Sequence, residues 1–171
     1  MTDSDSFRIR SARTGDVAAI KCLVAPLAEQ RILMAKETVA YYESLQEFRI
    51  AESLDGEVIG CGALHVMWED LAEVRTLAAS DAWRGKGVGH VLVESLLAEA
   101  RELGVARVFC LTFEVDFFKR HGFEVMADQT AVDPEVYSEL LRSHDEGVAE
   151  FLDLARVKPN TLGNTRMIRT L

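Results

Sequence analysis

The chain has 171 residues, long enough for one domain with a sizeable core, and its 49% apolar and 27% charged residues exclude a disordered or fibrous chain. Lys and Arg number 19 against 28 Asp and Glu, a net charge of −9. That field opposes nucleic acid as a partner but permits a small anionic ligand in a local cationic pocket.

The opening MTDSDSFRIR lacks the apolar run of a secretion signal, and no later stretch approaches a membrane span. A cytoplasmic chain with no membrane partner is therefore expected. Cys22, Cys61 and Cys110 are far apart and set among apolar residues, with no CxxC pair. Buried reduced thiols are expected, and no metal site.

Along the chain, FRIRSA alternates as a short strand does, and RTGDVAAIKCLVAPLAEQ follows as a helix. Thr14 is placed to cap it; Val17, Ile20, Leu23, Val24 and Leu27 share one face, and Pro26 predicts a break or kink. A second short helix starts near Thr38. In EFRIAESLDGEVIGCGALHVMW two β-like runs flank Asp55-Gly56, a pair favoured in hairpin turns. AEVRTLAAS is a third run. Val88, Leu92, Leu96, Ala100 and Leu103 then mark the buried face of a helix closed by Gly104. VARVFCLTF is strongly β-like and should run parallel to the preceding strand through a right-handed crossover. VDFFKRHGF reads as a short helix stopped by Gly122, and FEVMAD as a strand. Asp133 and Pro134 open a helix over PEVYSELLRS, and EGVAEFLDLA extends it as a second one. VKPNTLGN is a loop and TRMIRTL a final strand. The sum is a mixed α/β (α+β) domain, because the central hairpin rules out a wholly parallel sheet.

Between the third strand and the long helix stands SDAWRGKGVG. Glycines admit positive φ and let a ligand reach the backbone, while a helix N-terminus adds unpaired N–H donors and partial positive charge. With Arg84 and Lys86 beside them these features suit a phosphate or pyrophosphate. A Walker loop fails, because Lys86 is followed by Gly87 and not by Ser or Thr. A dinucleotide loop is weakened by the GxGxG spacing and by Ser80–Trp83 intervening after the strand, although Glu114 stands where a ribose-binding acid could. A plain strand-to-helix turn rarely needs three alternating glycines with cations beside them.

Arg84, Gly87 and Gly89 form Arg-x-x-Gly-x-Gly, which resembles the acyl-CoA pyrophosphate loop of the GNAT N-acetyltransferase superfamily. TLAASDAWRGKGVG is similar to that family's strand-and-loop segment, FFKRHGF to its later helix-to-strand signature, and IRSARTGDVAAI to its first strand and helix. The resemblance spans roughly residues 8–126 of a single domain over 1–171, leaving 127–171 for C-terminal helices and a last strand. Within it, LAEQRIL, GCGALHV, AEVRTLA and GNTRMIRTL are similar to the acetyltransferase domain of amino-acid N-acetyltransferases, the N-acetylglutamate synthases. This chain resembles their short form, without a kinase-like domain ahead of it.

The resemblance implies a GNAT fold with a mixed, mostly antiparallel central sheet flanked by helices, and acetyl-CoA as co-substrate. It implies transfer to the α-amine of L-glutamate or L-glutamine, the first step of arginine biosynthesis. Backbone groups of Leu77, Ala78 and Ala79 would bond the pantetheine arm and polarise the thioester oxygen. The loop Arg84, Gly85, Lys86, Gly87, Val88 and Gly89 would take the pyrophosphate. Glu73 is the leading proton acceptor; its alternative is a solvent-facing strand carboxylate or a partner for Arg75. His65 stands at a position often Lys in the family, and would bind substrate carboxylate or relay protons. Lys36, Arg75, Thr165 and Arg166 are candidates for the acceptor's carboxylates. Phe118 occupies the place where many GNAT enzymes carry a Tyr acid, so the leaving thiolate goes without that proton donor. Pro134–Lys158 has no obvious equivalent in the longer synthases; a cover for the site and a subunit contact in a homodimer are both open. The competing functions are a GNAT enzyme for another amine (a peptide N-terminus, polyamine or small molecule) and a non-catalytic acyl-CoA sensor.

Overall fold

The alternating run near the start forms β1 (Phe7–Ser11), antiparallel to β2 (Phe48–Ser53) from Phe7↔Ser53 to Ser11↔Arg49. A computed structural model describes residues 6–126, 132–154, 157 and 163–171. β2 turns back into β3 (Val58–Trp68) at the predicted Asp55-Gly56 pair, where Gly56 sits at φ 85° and donates to the Ser53 carbonyl at 3.0 Å. β4 (Leu71–Ala79), β5 (Arg107–Thr112), β6 (Glu124–Val125) and β7 (Thr165–Thr170) complete a seven-stranded sheet in the order β1-β2-β3-β4-β5-β7-β6. As expected, β5 runs parallel to β4, from Leu71↔Arg107 to Glu73↔Phe109; β7 is antiparallel to both β5 and β6. The helices are α1 (Val17–Glu29), α2 (Thr38–Glu43), α3 (Val88–Glu102), α4 (Val115–Arg120), α5 (Pro134–Leu140) and α6 (Glu146–Phe151).

The chain divides into two compact units, Met1–His65 with Val74–Leu103, and Val66–Glu73 with Gly104–Leu171. In the first, α1 and α2 bring Val17, Ile20, Val24 and Tyr41 against Phe48, Ile50, Cys61, Ala63 and Ala78. α3 packs Val88 and Leu92 on Phe7, Ala51 and Ile59. Each such Leu contributes about 1.5–3 kcal/mol by leaving water. The reason for "GCG" in β3 lies here. A Cβ on Gly60 would stand 2.7 Å from Val88 Cγ1 and 3.0 Å from Leu92 Cδ1, and one on Gly62 3.0 Å from Leu96 Cδ1. The two glycines let α3 lie close on the strand. In the second unit Met67, Leu71 and Phe109 pack with Leu140, Val148, Phe151 and Leu152 of the α5–α6 segment.

Several expectations need correction. Pro26 does not break α1, which runs on to Glu29. It has no N–H to give the Cys22 carbonyl one turn back, yet the helix continues three residues past it. The helix instead ends where Arg31 takes φ 57°, with Arg31 N–H donating to Ala28 O and Ile32 N–H to Leu27 O. Thr14 begins a 3-10 turn, and the capping carboxylate is that of Asp16, accepting from Arg13 N–H at 2.6 Å. Cys22 is exposed, unlike buried Cys61 and Cys110. Leu103 lies past the end of α3 and is 57% exposed, while Val88, Leu92, Leu96 and Ala100 are buried as expected, with Val93 and Leu97 beside them. In FEVMAD, Glu124–Val125 form the strand, continued by a bond from Met126 N–H to Arg166 O, while Ala127 and Asp128 lie outside the described residues. Most of the VKPNTLGN loop lies outside the described residues. Among the described residues no helix is long and apolar enough to cross a membrane.

Candidate functional site

The glycine loop follows β4 directly. Ser80 N–H still bonds to Ile59 O of β3 at 2.8 Å, and Asp81–Trp83 then form a 3-10 turn. Trp83 N–H donates to Ser80 O, Arg84 N–H to Asp81 O at 3.1 Å and Lys86 N–H to Trp83 O at 3.2 Å. Two of the six amides expected to face a ligand, those of Arg84 and Lys86, are thus spent in folding the loop. Gly85 and Gly87 take φ 78° and 80°, and a Cβ at either would meet nothing within 4 Å. The first bond of α3 runs from Val91 N–H to Gly87 O, so the amides of Val88 and Gly89 precede its hydrogen-bonded ladder. The turn and the anion-binding geometry are therefore one structure. Turn bonds hold the loop, and the N–H groups of Gly85, Gly87, Val88 and Gly89 supply donors at the positive end of a 15-residue helix.

The flanking cations contribute through their side chains. Arg84 pairs with Asp81 at 2.8 Å, both exposed, which is worth little. Lys86 Nζ lies 4.7 Å above the Trp83 ring, itself edge-on to Phe7. Ahead of the loop, Ala78 is buried in the α1–α2 core, Leu77 is half-buried and Ala79 exposed. Within β4, Thr76 holds φ 55°, a conformation that costs a β-branched residue about 1–3 kcal/mol. The Cys61 thiol donates to its carbonyl at 3.5 Å.

The titratable candidates differ in setting. Glu73 is 7% exposed, opposite Phe109 in the β4–β5 ladder. Burial, and then the Glu73 charge, push the Cys110 thiol up; burial pushes Cys61 up to about 12. Both thiols stay protonated at neutral pH, which suits a structural role. His65 Nδ1 lies 2.7 Å from Glu47 Oε1, both half-buried. Phe118 is buried between Phe117 and Phe123 at ring distances of 5.2 Å and carries no acidic proton. Lys36, Arg75 and Thr165 are half-buried. Arg166 uses Nε on the Glu150 carbonyl at 2.9 Å and Nη2 on the Phe151 carbonyl, tying β7 to the end of α6.

The loop, Leu77–Ala79, Arg75, Lys36 and His65 fall within the first unit, and Glu73, Thr165 and Arg166 within the second. Sequence reasoning passed over Glu47, Asp81 and Trp83. The first acquires meaning only from strand register, the other two from a turn whose geometry composition does not predict. Among the described residues no group of His, Cys, Asp and Glu could hold a metal ion.

Residues 23–123 match the Acetyltransferase (GNAT) family. An amino-acid acetyltransferase of Mycobacterium tuberculosis is 54% identical over 95% of this chain and 94% of its own length. A crystal structure of a protein from that organism, in complex with CoA and the ligand NLQ, superposes with a TM-score of 0.91 at 54% identity, covering 96% of this chain and 99% of that one. The Neisseria gonorrhoeae N-acetylglutamate synthase, complexed with CoA and N-acetyl-glutamate, gives 0.76 at 26% identity over 96% of this chain but 35% of its own. The amino-acid acetyltransferase of Neisseria meningitidis is 34% identical over 70% of this chain, which spans only 28% of it. With the loop geometry, the strand order and these matches together, the chain belongs to the GNAT acetyltransferase family and is an N-acetyltransferase.

Proposed function

We propose that this enzyme acetylates the α-amine of L-glutamate or L-glutamine from acetyl-CoA, at the entry to arginine synthesis. The observation that carries the reading is the set of amides left over by the loop's own turn bonds, at Gly85, Gly87, Val88 and Gly89. The open space beside Gly85 and Gly87 fits a diphosphate brought close to backbone. Support for an amino-acid acceptor comes from the 54% identical relative, an amino-acid acetyltransferase, and from the N-acetyl-glutamate complex of the gonococcal synthase.

Acetyl-CoA supplies an acetyl group activated as a thioester. Four loop amides with the Arg84 and Lys86 side chains hold its diphosphate, and the peptide groups of Leu77, Ala78 and Ala79 pair with the pantetheine arm. An N–H of that run polarises the thioester oxygen as charge builds on it. Glu73 takes the proton that an α-ammonium must lose before it can attack. His65 meets the amino-acid substrate. Lys36, Arg75, Thr165 and Arg166 remain the candidates for its carboxylates. Phe118 gives nothing to the leaving group, and a thiolate departs without a protein acid.

The test is a thiol-release assay with acetyl-CoA across the twenty amino acids, a dipeptide and a polyamine. Turnover concentrated on glutamate or glutamine is expected. Turnover confined to the peptide or the polyamine overturns the acceptor assignment.

A further inference from the structure

Trp83 and Lys86 are the first and last residues of one turn. Lys86 N–H donates to Trp83 O at 3.2 Å; between them Arg84 takes φ −57°, ψ 135° and Gly85 takes φ 78°. These are the angles of a type II turn, which brings the Cα atoms of its end residues within about 7 Å. The two end side chains meet, with Lys86 Nζ 4.7 Å from the centroid of the Trp83 ring. That is inside the roughly 6 Å over which an aromatic face attracts an ammonium. Trp83 is itself fixed. It is half-buried against the cluster of Phe7, Ala51, Ile59, Val88 and Leu92, and the buried Phe7 ring meets it edge-on at 6.1 Å. The Lys86 ammonium is thereby tied to the core through a ring, whereas Arg84 stands at the turn's corner, exposed together with its partner Asp81.

We propose that Trp83 is a positioning residue for the co-substrate: its ring face holds the Lys86 ammonium beside the glycine loop, so that the diphosphate of acetyl-CoA meets a cation already in place. This rests on the reading above that the loop takes that diphosphate. A lysine on an exposed loop has four flexible bonds, and must give up their freedom to hold an anion. One parked over an indole, the ring with the strongest pull on a cation, has given up part of it before the ligand arrives. The ammonium has three N–H donors, so a ring on one side of it is compatible with a phosphate oxygen on another. The turn bond between the same two residues sets the backbone of the loop, and the ring contact sets its charge. Such a device acts on binding of the diphosphate and leaves acetyl transfer itself untouched.

The experiment compares two acetyl donors on the full chain, acetyl-CoA and S-acetylpantetheine, which is the same thioester arm without diphosphate or nucleotide. The variants are Trp83→Leu, Trp83→Phe, Lys86→Met and the Trp83→Leu/Lys86→Met double. Lys86→Met should raise KM for acetyl-CoA about tenfold and Trp83→Leu about fivefold, with kcat held. Trp83→Phe keeps a weaker ring face and should recover part of the loss. The double variant should bind no worse than Lys86→Met alone, because both changes remove one function. With S-acetylpantetheine all four should match the wild type within about twofold, since that donor has nothing for Lys86 to hold. The chain has two tryptophans, so in a Trp68→Phe background emission reports Trp83, and Lys86→Met should shift it. Unshifted emission, or losses that multiply in the double variant, overturns the inference. So does a Trp83→Leu protein that loses as much with S-acetylpantetheine as with acetyl-CoA, because the ring then merely props the loop. If Gly87→Ala weakens acetyl-CoA and Lys86→Met does not, the role of this cation falls and the loop reading stands; if neither weakens it, the loop reading fails as well. Calorimetric titration with CoA gives the same ranking without any acceptor, so the outcome does not depend on which amine is acetylated.

Discussion

Gly87 and Gly60 are both glycines near the same helix end, and they are there for different reasons. Gly87 sits at φ 80° with open space where a Cβ would be, so only backbone conformation requires it. Gly60 has an ordinary φ but no room. Gly87→Ala should therefore strain the loop by about 1–2 kcal/mol. It should raise KM for acetyl-CoA by roughly tenfold with little change in kcat, since about 1.4 kcal/mol of weaker binding is tenfold. Gly87→Asn, whose side chain tolerates the left-handed region, should cost less than Gly87→Ala. Equal kinetics for the two variants would show that the positive φ is not what the loop needs. Glu73 makes a second case at this scale. If it accepts the α-ammonium proton, Glu73→Gln should slow turnover by about a hundredfold, most at lower pH where neutral amine is scarcest. A pH–rate profile parallel to that of the wild type would remove it from the mechanism.

At the scale of elements, the tightness of α3 on β3 is a prediction in itself. Gly60→Ala places a methyl 2.7 Å from Val88 and 3.0 Å from Leu92, and 3.3 Å from the Ala78 carbonyl, which cannot rotate away. Overpacking of this kind costs about 1–3 kcal/mol. Because Val88 is the first residue of α3 and follows Gly87, the shift should also weaken acetyl-CoA binding, readable as a lower urea midpoint together with a higher KM. The joint of β1, the turn before α1, and β2 is held differently, by charge. Arg10 donates Nη1 to Asp16 at 2.7 Å and Nε to Glu52 at 2.8 Å, and Arg8 adds Nε to Glu52 at 2.8 Å. The hydrogen bond from Arg10 first, with burial opposing it, holds the Asp16 carboxyl below its usual 3.8; bonds from Arg10 and then Arg8 hold that of Glu52 below 4.5. Depressed carboxylates stabilise the fold fully above those ordinary values, and the stability is lost as pH falls through the lowered ones. Arg10→Met should thus be less stable than wild type at neutral pH, with the gap closing as the pH drops below about 4.5. Urea midpoints that stay parallel down to pH 3 would sink this account.

Much of this architecture is legible in the sequence wherever a period is long. The α3 stripe repeats over four turns, and the β2–β3 runs announce their own turn with Asp-Gly. Legibility fails where a single residue's environment decides. Cys22 has apolar neighbours in sequence but lies two residues from Ile20, about 200° around the helix from the buried face. Pro26 is a helix breaker by type, yet α1 runs three residues past it. The loop is legible as a phosphate site from its glycines and cations, yet which amides remain for a ligand depends on turn bonds that no spacing rule reports. Glu47 is silent altogether, since its partner is chosen by the hairpin register 18 residues away.

For the molecule as a whole, the net charge of −9 sets a puzzle, because the proposed ligand carries a diphosphate of the same sign. Two forces act over different ranges. The diffuse negative field repels an approaching polyanion over tens of ångströms at low salt, and is cut off when the Debye length shrinks to about 10 Å near 0.1 M. Arg84, Lys86 and the loop amides act at contact distance, where the same salt screens them less. Raising ionic strength from about 10 to 100 mM should therefore leave the affinity for acetyl-CoA within a few-fold, as relief of repulsion offsets weakened attraction. Neutralising both side chains, as Arg84→Gln with Lys86→Gln, removes most of the attractive charge but none of the repulsion. In that variant binding should be weaker at every salt and should tighten as salt is added, the opposite of what a basic phosphate-binding protein does. Calorimetric titration of wild type and variant across that range reads the sign directly. If the variant loses affinity with added salt as a nucleic-acid binder would, attraction to the ligand resides in charges other than these two, and the loop is not the anion's principal anchor.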